Sequence, residues 1–358
     1  MSDIAKGILA GGWSLVFGWI LPTAVNIMIF GFFVLSSLRG IPLVGTLGQA
    51  SASTQALTVL ASAVVVGLVF SALQTPLYRV LEGYLLWPDA IASKRREHFV
   101  NIMDLMQKRL DAIYFRNLED PAPEDKQRLE NLEADPQVSK YLNKHKTLTA
   151  VQRSLYAERL RFPVDENQVA PTRLGNAIRR FEEYAYDRYR LDSQALWYEL
   201  TSIAPKQLVK QVENARAGVD FFVCLLYGQL LVALVSLISL GAPSPHYVTL
   251  GVTAAVLVVL PIGWYRLAWS TTDDWALAVR ALVDLGRKPL AEGLCLVLPR
   301  ELVQEREMWT QYCQMVLWPY DESRAAGLAK FRFAGTAPES RERSRRRKGP
   351  TRTRTTGR

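Results

Sequence analysis

Two long stretches of the chain carry almost no charged residue. Arg39 is the only charge between Lys6 and Arg79, and the 45 residues between Asp220 and Arg266 carry none. A membrane-spanning helix needs about 20 apolar residues to cross about 30 Å of hydrocarbon, so each stretch is long enough for two. A wholly soluble protein is therefore excluded. Polar or Pro-containing breaks divide the stretches and predict four transmembrane helices in two hairpins, near 13–37, 56–77, 219–240 and 247–265.

Basic residues lie mainly on one side of these predicted spans. Loop 38–55 carries only Arg39 and loop 241–246 carries none, whereas many Lys and Arg residues flank the other span ends. Basic flanking segments tend to remain in the cytoplasm, so the pattern predicts a multi-pass protein of the inner (plasma) membrane with both termini in the cytoplasm. The predicted parts are an N-terminus (1–12), hairpin 1 (13–78), a cytoplasmic helical domain (79–216), hairpin 2 (217–266), helices that pack on that domain (267–336) and a disordered basic tail (337–358).

The segment between the hairpins has a water-facing composition. Residues 79–216 contain 23 Lys and Arg and 21 Asp and Glu, so they are highly charged and nearly neutral overall. Apolar residues recur every three or four positions from Phe99 to Ile113, which predicts an amphipathic helix over 93–118. The acidic stretch 119–135 is interpreted as a solvated loop. Because no strand-like alternation of apolar and polar residues is found, the predicted class is all-α.

A further helix is predicted just after Pro171. Thr172 suits the N-cap position, and an apolar stripe follows it. Glycine costs about 1 kcal/mol relative to Ala inside a helix, so Gly175 in the first turn predicts close approach of another backbone. The residues of the stripe are Leu174, Ala177, Ile178, Phe181 and Ala185.

Polar side chains of this helix form a candidate anion or partner site. A helix N-terminus attracts negative charge, which makes Arg173, Asn176, Arg179 and Arg180 the candidate ligands. In the alternative interpretation, which the sequence favours, the arginines pair with the carboxylates that follow, which are Glu182, Glu183, Asp187 and Asp192.

The same segment carries a resemblance to known proteins. A P-T-R-L-G-N helix is followed by a Tyr-containing turn, an Asp and a Leu-Trp pair, and here these positions are Pro171–Asn176, Tyr189, Asp192, Leu196 and Trp197. Over about 30 residues the segment resembles uncharacterised bacterial, mostly actinobacterial, multi-pass membrane proteins. Arg190 stands where a Gly is expected in that pattern. The resemblance implies a four-span membrane protein without an established activity.

Few polar side chains lie deep in the predicted spans. Inward of Asp220 and the other flanking charges, the spans contain no Asp, Glu, Lys, Arg or His. Proton relays and pumps normally place such groups at depth. Asn26 and Gln229 would line a pore in one interpretation, and in the preferred one they form hydrogen bonds between helices.

Motifs that mark known catalytic or cofactor sites are missing from the sequence. The three Cys residues include no CxxC pair, and the three His residues have no metal-ligand spacing. There is also no nucleotide-binding P-loop, dinucleotide fingerprint, zinc-protease motif or nucleophile elbow. The sequence therefore predicts no catalytic residue, cofactor or metal. The absence of known motifs removes the familiar enzyme classes and does not by itself exclude an enzyme.

The C-terminal tail carries most of the net charge. Residues 337–358 contain nine Lys and Arg against Glu339 and Glu342, which is +7 of the total of +9. Tethered beneath an anionic leaflet, such a tail is expected to contact lipid headgroups, most densely through Arg345, Arg346, Arg347 and Lys348. Selective nucleic-acid binding is not expected, because no aromatic residue interleaves these charges to stack on bases.

Three classes of function are compatible with these patterns. The leading hypothesis is a non-catalytic membrane protein that self-associates and serves as an oligomeric scaffold or docks an unknown protein partner. The first alternative is an ion channel or a motor-stator-like subunit, because the order of hairpin, domain, hairpin and tail is similar to that of flagellar proton-channel stators. This likeness is one of topology only. The second alternative is a membrane-bound enzyme, which requires titratable residues that converge in a cleft.

Overall fold

The computed structural model describes residues 12–38, 51–144, 148–243 and 245–332. Within these ranges the secondary structure consists of helices. The only β-type pairing in them is one isolated bridge between Leu296 and Arg332. The predicted all-α class is confirmed. Residues 39–50, most of the predicted N-terminus and the basic tail with Arg345–Lys348 lie outside the described residues.

The helices follow one another with short connections. A π-helical turn (Val16–Ile20) leads into the first α-helix, and 3₁₀ turns occupy Leu35–Leu38, Glu166–Gln168 and Ser239–Gly241. The α-helices are α1 (Leu21–Phe33), α2 (Ala52–Ala72), α3 (Gln74–Glu82), α4 (Asp89–Arg116), α5 (Pro123–Glu133), α6 (Pro136–Lys144), α7 (Leu148–Arg159), α8 (Arg173–Glu182), α9 (Tyr184–Tyr189), α10 (Trp197–Ile203), α11 (Lys206–Ile238), α12 (Tyr247–Gly293), α13 (Leu302–Leu317) and α14 (Glu322–Ala329).

In the described part of the chain, four helical segments are long and apolar enough to span a membrane, as predicted. They are Gly12–Phe33, Ala52–Ala72, Lys206–Gly241 and Tyr247–Gly293. The last two are longer than their predicted spans, because α11 and α12 continue without a break into charged sequence. At 1.5 Å per residue the 47 residues of α12 extend about 70 Å, more than twice the thickness of the hydrocarbon core. Each of these two helices therefore joins an apolar part to a polar part as one rod.

The first span is irregular at Pro22. Proline has no N–H and its ring crowds the preceding turn, and here the helix widens into the π-helical turn just before it. Within this turn the Trp19 carbonyl accepts a hydrogen bond of 2.6 Å from Thr23 Oγ1. Cys224 Sγ on α11 lies 3.3 Å from the same hydroxyl, so the loosened turn is tied to a neighbouring helix.

The polar helices bury their side chains in two separate cores, and the larger one extends into the spans at Trp19 and Val223. One core lies between α4 and the helices that follow it up to α7, and it includes Phe99, Met103 and Ile113 of α4 and Phe162, which follows α7. The larger core joins α8 and α10 to the polar parts of α11 and α12 and to α13, where Trp309 is fully buried. The predicted helix over 93–118 is confirmed as α4.

The interpretation of residues 119–135 as a loop was wrong. Residues Pro123–Glu133 form α5, which has no buried residue. Proline suits the first position of a helix, and Glu124 and Asp125 place negative charge at its N-terminus, where the helix dipole favours it. A stretch that is too polar for a core can therefore still be helical.

Candidate functional site

A cleft of about 700 Å³ lies where α3, α8, α10, α11 and α12 meet. Its wall begins at Gln74 and Thr75, directly after α2 ends at Ala72. The cleft is therefore at the border between an apolar span and the polar helices. The remaining lining residues are Tyr78, Arg79, Glu82, Tyr84, Leu85, Ile178, Arg179, Phe181, Glu182, Gln194, Trp197, Arg216, Trp275 and Val279.

The contact between α3 and α8 fixes the two opposing walls. A Cβ atom at Gly175 would lie 2.6 Å from the Glu82 carbonyl oxygen, so the predicted close approach of another backbone is confirmed. Gly83 ends α3 in the left-handed conformation, with φ of 91°, and a side chain there would meet Pro171. The predicted N-cap is confirmed as well, because the Gly175 N–H donates to Thr172 Oγ1 at 2.9 Å.

Asn176 locks the start of α8 and is not available to a ligand. The side chain is fully buried. Its Nδ2 donates to the carbonyl oxygens of Ala170 (2.9 Å) and Thr172 (2.8 Å), and its Oδ1 accepts from the Ala170 N–H (2.7 Å). These three bonds hold the turn around Pro171 against the helix, so the residue positions the wall of the cleft.

The three arginines of the candidate anion site point in different directions. Arg173 lies over the Trp269 ring, with its guanidinium carbon 5.3 Å from the ring centroid. Arg179 enters the cleft, where its Nη2 donates to Tyr84 Oη at 2.7 Å. Arg180 lies 3.5 Å from the Asp187 carboxylate outside the cleft. The structure does not gather the predicted set, and it brings only Arg179 to the cleft.

Three arginines and two carboxylates line the cleft. Besides Arg179 these are Arg79, Arg216, Glu82 and Glu182. Arg216 Nη2 donates to Gln74 Oε1 at 3.1 Å, and its guanidinium carbon lies 5.8 Å from the centroid of the Trp275 ring. The cleft thus combines a positive rim with aromatic walls.

Burial makes the carboxyl groups of the cleft hard to ionise. It raises the pKa of Glu182 to about 7, and the negative charge of Glu82 adds to this effect. Burial likewise raises the pKa of Glu82, although Arg179 and Arg79 oppose the shift. Glu182 therefore exchanges a proton near neutral pH, which is the range that acid–base chemistry or pH-dependent binding uses.

Asp220 is buried in the structure. In the sequence it is only the last charged residue before the second uncharged stretch, so the pattern gave no sign of this burial. Its side chain is 8% exposed, and Tyr78 Oη donates to its Oδ1 at 2.7 Å. Arg216 lies 3.9 Å from its other oxygen. Asp220, Arg216 and Gln74 also line a smaller cavity of about 190 Å³ beside Trp19. The hydrogen bond between Arg216 and Gln74 therefore stands between two cavities.

Both polar residues predicted deep in the spans contact neighbouring helices. Asn26 Nδ2 donates to the Cys224 carbonyl oxygen at 3.3 Å, and a Cβ at Gly228 would overlap the same amide. Gln229 Oε1 accepts from Trp264 Nε1 at 2.8 Å. These bonds favour packing over a pore.

Replacing Asn26 or Gln229 by Leu should leave the fold nearly intact. Each change removes one interhelical hydrogen bond, which is worth about 0.6 kcal/mol on average in a membrane protein. Unfolding of the full chain in mixed micelles measures this cost. A large change in ion conductance of reconstituted vesicles, with assembly unchanged, would instead support a pore.

No metal site can be assigned in the part of the chain that the structure describes, because no three His, Cys, Asp or Glu residues there are grouped to hold an ion.

No family model matches the chain, and no curated protein or solved structure matches it significantly. The function of the cleft therefore has to follow from its own residues.

Most cleft residues were not singled out by their sequence pattern. Glu82, Arg79 and Arg216 occur as ordinary charges close to span ends, where the orientation argument already accounted for basic residues. A weak signal exists in retrospect, since Glu82 is the first carboxylate after a long uncharged stretch. No local pattern places it opposite Glu182, because the two residues are 100 positions apart.

Proposed function

We propose that this chain is a non-catalytic integral membrane protein that binds a ligand in the cleft at the cytoplasmic border of its spans. The single observation that carries the proposal is the cleft itself, with three guanidinium groups, two carboxyl groups and aromatic walls beside the end of α2. Ligand sites are typically concave, with apolar walls and a few convergent polar groups. Unlike an exposed ion-pair surface, this cleft partly buries Glu182, and that burial raises its pKa to about 7.

The proposal places the four spans in two hairpins, with both termini and the polar helices in the cytoplasm. The distribution of Lys and Arg supports this orientation. Hydrogen bonds from Ser236 Oγ to the Leu250 carbonyl and from Trp264 to Gln229 support close pairing of α11 and α12. Self-association into an oligomeric scaffold belongs to the same proposal, and native mass spectrometry from nanodiscs would count the chains.

A membrane-bound enzyme is the second candidate. Glu182 lies in a cleft with Arg179, and a carboxyl group with a pKa near 7 suits general acid–base catalysis. Asp187 and Asp192 are absent from the lining of the cleft. Asp187 pairs with Arg180, and Asp192 Oδ1 accepts hydrogen bonds from the backbone N–H groups of Gln194 and Ala195. A channel has less support, because both intramembrane amides are engaged between helices.

Ligand binding should appear as stabilisation that depends on the cleft. The full chain, purified in detergent and stripped of lipid, is melted with and without a total extract of membranes and small molecules from its host cells. A ligand at 100 times its Kd stabilises the native state by about 2.7 kcal/mol. Gln194→Trp fills the cleft from an exposed position, and Gln127→Trp on the exposed surface of α5 is the matched control.

We expect the extract to raise the melting midpoint of the wild type and of Gln127→Trp, and not that of Gln194→Trp. Equal stabilisation of all three proteins would show that binding occurs elsewhere, and no stabilisation of any would reject the ligand site. The same extract, followed over time by mass spectrometry, tests the second candidate. A product formed by the wild type and not by Glu182→Gln would establish an enzyme.

A further inference from the structure

The guanidinium groups of the cleft come from three separate elements and converge on one space. Arg79 lies on α3, Arg179 on α8 and Arg216 on α11. Each guanidinium carries five N–H donors in a rigid fork that matches the oxygens of a phosphate or carboxylate. Their separate origins mean that the fold, rather than one run of basic sequence, assembles the cluster.

Most of the donors on these arginines are not used within the protein. Arg179 makes one hydrogen bond, to Tyr84, and Arg216 makes one, to Gln74. Among the described residues Arg79 has no hydrogen bond or ion pair, and its side chain is exposed. The Nε–H of Arg179 is buried and makes no hydrogen bond in the described part of the chain, where Glu183 Oε1 lies 3.9 Å from it. An incoming group that accepts several hydrogen bonds would satisfy these donors.

The charge balance of the cleft favours an anion. With both carboxyl groups ionised, the lining carries three positive and two negative charges. Protonation of Glu182 leaves a net charge of +2. Asp220 lies 3.9 Å from Arg216 and Glu183 lies 3.9 Å from Arg179, but neither carboxyl group is in the lining of the cleft. A ligand in the cleft therefore meets a positive surface that strengthens as Glu182 gains its proton.

The position of the cleft matches the level of phosphate groups at a membrane surface. Gln74 and Thr75 follow the last residue of α2, and Arg216 precedes the long uncharged stretch of α11. Trp197, Trp275 and Leu85 add apolar and aromatic wall beside the arginines. Amphipathic aromatic rings are characteristic of the interfacial region.

We infer that the cleft binds a phosphate group, carried either by the headgroup of an anionic phospholipid or by a soluble phosphate ester. This inference rests on the proposed function and specifies the ligand that the cleft takes. Phosphate offers the several acceptor oxygens and the negative charge that Arg79, Arg179 and Arg216 are placed to bind. The apolar wall accommodates the glycerol or acyl portion next to it.

Binding should depend on pH through Glu182. The charged groups around Glu182 are Glu82 and Arg79 on α3, Arg179 on its own helix, Glu183 directly after that helix, and Arg216 on α11. From α12 only Trp275 and Val279 are in the lining. Because burial raises the pKa of Glu182 to about 7, the group is mostly neutral at pH 6 and mostly ionised at pH 8. A phosphodiester, whose single charge is constant over this range, is repelled by the ionised form, so we expect its affinity to fall up to about tenfold between these values. A phosphate monoester gains charge itself with a pKa of about 6, so the pH profile is measured with phosphatidylglycerol.

The test uses the full chain in a neutral detergent, with the fluorescence of the protein's tryptophans as the readout. The probes are dihexanoyl phosphatidylglycerol, glycerol 3-phosphate and, as a control without phosphate, dihexanoylglycerol. We expect saturable binding of a phosphate-bearing probe and a loss of about tenfold or more in affinity for Arg179→Gln and Arg216→Gln. Arg116→Gln, an exposed arginine at the end of α4, should bind like the wild type.

The outcomes separate the two sources and the two proposals. Binding of the lipid alone identifies a headgroup site, and equal binding of glycerol 3-phosphate identifies a soluble ester. Glu182→Gln should bind with a weaker pH dependence than the wild type, the remainder arising from Glu183, whose pKa burial also raises to about 7. A purely structural role of Glu182 would leave the pH profile unchanged. If dihexanoylglycerol binds as tightly as the phospholipid, or if Arg116→Gln loses as much affinity as Arg179→Gln, the phosphate site is rejected. Stabilisation by the cell extract through the cleft, without binding of either phosphate probe, would reject this inference and leave the proposed function standing.

Discussion

Arg287→Ala is expected to lower the free energy of unfolding by about 3–5 kcal/mol, because it leaves a buried carboxylate without its cation. Arg287 Nη1 on α12 donates to the two carboxylate oxygens of Glu305 on α13 at 2.6 and 2.5 Å. Glu305 is only 4% exposed, and its one neutral donor is Trp309 Nε1 at 3.3 Å. The Arg287 side chain is 26% exposed, so the truncation admits some water, and we expect this water to offset only part of the loss.

Unfolding of the full chain in mixed micelles measures the loss. Lys288→Ala is the matched control, since Lys288 is the exposed neighbour on the same helix, and we expect it to change stability by less than about 0.5 kcal/mol. Adding Glu305→Gln to Arg287→Ala should recover part of the loss, because the amide removes the unpaired charge. An Arg287→Ala variant as stable as Lys288→Ala would show that the pair does not join α12 to α13.

Leu174→Ala should destabilise the protein by about 2–5 kcal/mol through the cavity that it leaves. Leu174 is fully buried in the larger core, on the helix that forms one wall of the cleft. Its backbone N–H donates to Tyr265 Oη at 3.2 Å, so its position is held at both the backbone and the side chain. The site can therefore relax little around the smaller residue.

Leu285→Ala is the control for this truncation, because Leu285 lies on α12 and is 60% exposed. We expect it to cost less than about 0.5 kcal/mol in the same unfolding experiment. Arg179→Ala should also cost far less than Leu174→Ala, since its ion pair with Glu183 spans 3.9 Å and is partly solvated. Similar losses for Leu174→Ala and Leu285→Ala would mean that α8 does not pack as described.

Some features of the candidate site follow from the sequence and others do not. The helix after Thr172, its apolar stripe and the close approach at Gly175 were all predicted, because a cap, a period and a missing side chain are local signals. The turn at Arg190 needed the structure, since this residue adopts a left-handed φ of 62° where glycine was expected. A left-handed non-glycine residue is held by its surroundings and has no sequence signal of its own.

By itself, the sequence determined the all-α class and the four apolar spans, because hydropathy, length and helical period are properties of neighbouring residues. Only the tertiary structure decided that α11 and α12 run on as single rods, that the buried residues of 79–216 divide between two cores, and that Asp220 is enclosed by Tyr78 and Arg216. It also decided the cleft, whose walls come from five segments between Gln74 and Val279. Which side chains share a cavity depends on how helices pack across long separations in sequence, and no local pattern encodes that contact.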